Sequence, residues 1–94
     1  MIYILSYQLQ TPEKDYSPLY KYIENSIGTS AVHVLRDSWW IASDRELNVD
    51  DECEKVRKFL GEKDGIYMTE LQKNAPINGW LPSNYWNWYR ENNK

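Results

Sequence analysis

The opening residues carry the clearest hydrophobic pattern in the chain. Ile2 to Leu9 alternate, with Tyr3, Leu5, Tyr7 and Leu9 on one side and Ile2, Ile4, Ser6 and Gln8 on the other. Both sides are apolar in the first half, which predicts a strand in the middle of a sheet, covered on two faces. A polar link from Gln10 to Asp15 follows, and Ser17-Pro18 predicts a helix start with a capping hydroxyl and a first-turn proline. Tyr16, Leu19, Tyr20, Ile23 and Ile27 recur at helical spacing, and Gly28 stands where that helix should stop. Ala31 to Leu35 and Trp39 to Ala42 flank the polar break Arg36-Asp37-Ser38 and predict a hairpin. Asn48 predicts the cap of a second helix, with Asp50, Asp51 and Glu52 at the positive end of its dipole. Val49, Cys53, Val56 and Leu60 form its buried stripe, and Gly61 ends it. Asp64-Gly65 then turns the chain into a fourth strand, Ile66 to Leu71.

The order strand, helix, strand, strand, helix, strand predicts an α+β, ferredoxin-like βαββαβ domain over residues 1–72. Its four strands form an antiparallel sheet with both helices on one face, so the other face needs a cover. Residues 73–94 form an aromatic C-terminal extension of a different kind. Gly79-Trp80-Leu81-Pro82 reads as a turn, and Ser83 as the cap of a short helix with Leu81, Tyr85, Trp88 and Tyr89 on one face. So short a helix does not hold together alone, so it must dock on its own sheet or on a partner subunit.

Composition narrows the function. The 94 residues make one domain, and a net charge of −3 opposes a general nucleic-acid surface, which depends on excess Lys and Arg. No apolar run is long enough to span a membrane, and the first residues lack a leader's charged start, so a cytoplasmic location is expected. One cysteine, Cys53, excludes an internal disulfide, and its place on an apolar stripe makes it core. Aromatic content is the anomaly: 5 Trp, 8 Tyr and 1 Phe make 15% of the chain.

Little in the sequence points to catalysis. His33 lies mid-strand between Val32 and Val34, where a packed histidine is commoner than a general base. No nucleophile motif, phosphate loop or cofactor signature appears. Asp50, Asp51, Glu52 and Glu54 spread around a helix axis and read as helix-start acids, so no metal site is expected. Binding is better supported. Trp39 and Trp40 must point to opposite faces of the sheet, so only one can enter the main core. The other faces the helix-free side, where it packs under the tail, meets a subunit contact or stacks on a ligand. Arg36 at the hairpin and Lys14 in the first loop are cations that could meet phosphate.

Ser6-Tyr7-Gln8-Leu9 with Asp15-Tyr16-Ser17 and Leu19-Tyr20 resembles the start of the small SinR-like proteins, relatives of the CRISPR-adaptation endoribonuclease-like subunit and of VapD-type toxins. Leu35-Arg36-Asp37-Ser38-Trp39-Trp40-Ile41 is similar to that family's hairpin, and Gly65 to Leu71 with Gly79-Trp80-Leu81 and Trp86-Asn87-Trp88 to its last strand and tail. The resemblance implies a ferredoxin-like homodimer. In the nuclease-like relatives an acid ends the first strand and can bind a divalent metal; here that position is Gln8, which removes the charge a hard cation needs. The resulting expectation is a small, non-catalytic homodimer without cofactor, binding a nucleotide or nucleotide-derived signal in an aromatic-lined site, in the manner of a phage-type sequestering protein. Tyr7, Gln8, His33, Arg36, Trp39 and Trp40 are its expected lining. The alternatives are a nuclease or phosphodiesterase of the CRISPR-adaptation or VapD kind, and a module or inhibitor that binds a host protein through its tail.

Overall fold

A computed structural model describes Met1 to Lys94. The elements run β1 (Ile2–Gln8), α1 (Ser17–Ser26), β2 (Ser30–Leu35), β3 (Ser38–Ala42), α2 (Val49–Arg57), β4 (Gly65–Leu71) and α3 (Ser83–Asn92). The four strands form one sheet in the order β2-β3-β1-β4, with every neighbouring pair antiparallel. This is the ferredoxin-like α+β arrangement that the element order predicts, with β1 and β3 in the centre. The described chain has no helix long and apolar enough to cross a membrane.

Strand alternation sorts the core into two layers. Tyr3, Leu5 and Tyr7 of β1, Trp39 and Ile41 of β3 and Met68 of β4 pack against Leu19, Ile23 and Ile27 of the α1 segment and Val56 of α2. Ile2, Val34 and Trp40 face the opposite way and are closed over by Tyr89 of α3, with Tyr85, Trp86, Trp88, Leu81 and Ile77 around them. The tail therefore docks on its own sheet. Trp88 donates its indole N–H to Ser30 Oγ at 2.9 Å, and Asn93 donates to the Lys73 carbonyl at 3.1 Å, fastening the cover to β2 and to the start of the tail.

One local expectation is corrected, and two others gain detail. Ser17 and Ser83 are the first helical residues and not caps, and neither helix has a side-chain cap bond. At α1 the Asp15 carboxylate takes the Ser17 N–H at 3.0 Å instead. Gly28 follows the end of α1 as expected, without a left-handed backbone; a Cβ there would collide with the Ala42 carbonyl oxygen, so glycine is needed for close approach. Glu52 is a first-turn acid of α2 as expected, yet it is not solvated. It is buried at 6% exposure, near the Lys55 ammonium at 3.6 Å and the Tyr22 hydroxyl at 3.5 Å. Asn48 does cap α2, its Oδ1 accepting the Asp51 N–H at 3.1 Å.

Candidate functional site

Four of the six expected site residues meet on the helix side of the sheet. Trp39 donates its indole N–H to the Tyr7 hydroxyl at 3.0 Å, and the His33 ring stacks on Trp39 with centroids 4.3 Å apart and planes 10° from parallel. His33 Nε2 lies 3.0 Å from the Arg36 carbonyl and 3.2 Å from the Tyr7 hydroxyl. A carbonyl offers only lone pairs, so Nε2 carries the hydrogen of that bond. The Tyr7 hydroxyl completes the knot by donating to the same carbonyl at 3.3 Å. Burial pushes the Tyr7 phenol up to about 12, the Trp39 hydrogen bond only partly offsetting it, so it stays protonated at neutral pH. Tyr7 thus spends its hydrogen bonds inside the fold and ties β1, β2, β3 and the hairpin turn together. Arg36 enters through its backbone, while its side chain points to solvent in an exposed turn.

Trp40 and Gln8 lie on the other face and are separate from this knot. Trp40 is 5% exposed and sits among Trp86, Trp88 and Tyr89, at 5.6, 6.3 and 5.7 Å between ring centroids. It is a packing residue under the tail. Gln8 is exposed at the far end of β1, where the tail's cover has stopped.

That uncovered end is shaped by a bulge. The β2–β3 register shifts between His33, opposite Trp39, and Leu35, opposite Ser38, leaving Val34 as the extra residue. The shift turns Leu35 to the same face as Val34. A row then crosses the sheet from Leu35 to Ser38, Ser6 and Tyr67. Its outer members are exposed, Leu35 at 58% and Tyr67 at 59%, while the two serine hydroxyls meet at 3.1 Å in the middle. Beyond it Gln8 pairs with Gly65, where an added Cβ would meet nothing within 4 Å. Ser6, Tyr7, Gln8, Gly65, Ile66 and Tyr67 line a shallow cleft of about 300 Å³. A hollow of about 400 Å³ beside Arg57, Leu60, Gly61, Glu62, Asp64 and Ile66 is roomier, but it has no aromatic ring on which a ligand could stack.

Asp64 holds the cleft's two strand ends in place. Its carboxylate accepts the Gln10 and Thr11 amides at 2.7 and 3.0 Å, the Gly61 amide at 2.7 Å and the Tyr16 hydroxyl at 2.7 Å. The chain leaving Gln8 is thereby pinned to the chain entering Gly65. Partial burial pushes the carboxyl up, but the hydrogen bonds from Gly61, Tyr16, Gln10 and Thr11 outweigh it and hold the group well below the usual carboxylate range. The loop packs tightly there, since a Cβ on Gly61 would lie 2.3 Å from Thr11 Oγ1.

Sequence reasoning reached Tyr7, His33 and Trp39 as neighbours but missed Leu35, Ser38, Gly65, Tyr67 and Asp64. The alternation of β1 did place Ser6 and Gln8 on one face, and Tyr67 follows by the same period; Leu35 depends on the bulge. No group of three or more His, Cys, Asp or Glu side chains is placed to hold a metal ion. Comparison with protein-family models, curated proteins and solved structures finds no match to this chain.

Proposed function

We propose that the protein is a non-catalytic binding module that takes a nucleotide-type ligand at the open end of its sheet. The observation that carries this reading is the exposed Tyr67 ring beside the Gln8 amide, over a ladder left bare by Gly65, at the end of this face beyond the tail's cover. An aromatic side chain gives a base a stacking surface, and a primary amide offers one donor group and one acceptor to its edge. The Tyr7–His33–Trp39 knot supplies a rigid floor behind the cleft, because Tyr7 joins both structures. The bare face that motivated a homodimer is occupied by α3, so self-association in this reading falls to the exposed Trp80 of the irregular segment before α3.

A thermal-shift screen against mononucleotides, cyclic dinucleotides and short RNAs, with and without Mg²⁺, tests the proposal. At a hundred times its dissociation constant a ligand adds about 2.7 kcal/mol to the folded state. The reading expects a nucleotide to raise the melting temperature without Mg²⁺, and the rise to vanish in Tyr67→Ala. Stabilisation by RNA alone and only with Mg²⁺, accompanied by its cleavage, would replace this reading with the nuclease one. No response to any nucleotide would remove it.

A further inference from the structure

We infer that the cleft recognises the uncharged base and sugar of its ligand and not its phosphates, so that a nucleoside binds about as tightly as its nucleotide. This rests on the binding reading above and narrows it. All six lining residues are uncharged, and the row that extends the cleft adds only Leu35 and Ser38. Hydrogen-bonding capacity is nonetheless dense: the Gln8 amide, the Ser6 and Ser38 hydroxyls and the Tyr67 phenol share one face. A phosphate entering this lining would lose hydration without meeting a cation, and the net charge of −3 adds a repulsive field. A neutral planar ring with donors and acceptors on its edge meets neither cost. The volume of about 300 Å³ is at the small end for ligand pockets, which suits a base with its sugar. Arg36 turns its carbonyl into the His33–Tyr7 knot and contributes no side chain to the lining.

The test titrates the whole protein calorimetrically with adenosine, guanosine, cytidine and uridine and with their 5′-monophosphates, at about 50 and about 500 mM NaCl. The inference expects at least one nucleoside and its monophosphate to bind with dissociation constants within about threefold, each shifting less than about twofold with salt. Tyr67→Ala should weaken both by about tenfold or more, and Arg36→Ala should change neither. A monophosphate that binds while its nucleoside does not, or that weakens steeply with salt or in Arg36→Ala, overturns the inference and leaves the binding reading standing. Absence of binding by nucleosides, monophosphates and every screened nucleotide overturns both.

Discussion

Along the face that carries α3, successive cross-strand rows meet different fates. One row runs Val32, Trp40, Ile4 and Thr69, and the next runs Leu35, Ser38, Ser6 and Tyr67. The first has Val32, Trp40 and Ile4 in the layer closed over by Tyr89, Trp86 and Trp88 and only Thr69, on the edge strand, exposed, whereas the second ends in two side chains more than half exposed. The central strands change from tryptophan and isoleucine to two serines at the step where the chain's own cover ends. Large apolar groups at the second row would have left a sticky sheet face; serines leave a hydrogen-bonding floor with an apolar rim. The covered row is part of the fold's stability, and the open row is surface that stability does not need.

The largest expected effect lies under the cover. Trp40→Ala should cost about 3–5 kcal/mol, as much as Trp39→Ala in the main layer, because both rings are 5% exposed. Chemical denaturation of the two variants checks this; a Trp40→Ala protein as stable as the parent would show that α3 does not close that face. Truncation after Gln72 should be at least as damaging, through exposure of Ile2, Trp40 and Val34 together.

The Asp64 clamp comes next, and it sharpens the contrast by testing what holds the open end. Asp64→Ala removes an acceptor of four donors and should cost about 2–3 kcal/mol at neutral pH. The folded carboxyl is held below its unfolded value of about 3.9, so its contribution is fully present above that pH. It is lost as pH falls through the lowered folded value. The gap in melting temperature between parent and Asp64→Ala should therefore be constant from neutral pH to about pH 5 and narrow steadily in acid. A gap independent of pH would mean that the loss is one of packing.

A smaller effect belongs to the knot. Tyr7→Phe leaves the Trp39 indole N–H without its acceptor and should cost about 1–2 kcal/mol. The Tyr7 phenol is raised to about 12, so its stabilising neutral form is fully present below the unfolded value of about 10 and is lost as pH rises through 12. Alkaline melting curves of the parent should fall across that window more steeply than those of Tyr7→Phe.

These effects also explain what the sequence made legible. Helical and strand periods in Leu19, Ile23, Val56 and the β1 alternation were enough for the ferredoxin-like order and for a tail needing a surface. Trp39 and Trp40 were assignable to opposite faces because a strand alternates strictly. Nothing local distinguishes a ring that packs under a distant helix from one that meets a ligand, so Trp40 read as a site residue until the position of α3 was known. Leu35 was hidden by the bulge, which a sequence with no glycine or turn signal at Val34 does not announce. Asp64 read as a turn residue because its four donors come from Gln10, Thr11, Tyr16 and Gly61, three of them far away in the chain.

The most direct measurement fills the open end without disturbing the fold. Gly65→Val places a side chain on β4 where nothing lies within 4 Å, at a position whose backbone is not left-handed. The account predicts an unchanged melting temperature for the free protein and at least a tenfold loss of affinity for whichever nucleoside or nucleotide binds the parent. Equal affinity in Gly65→Val and the parent, with the fold intact, would contradict it and move the binding site away from the β1–β4 cleft.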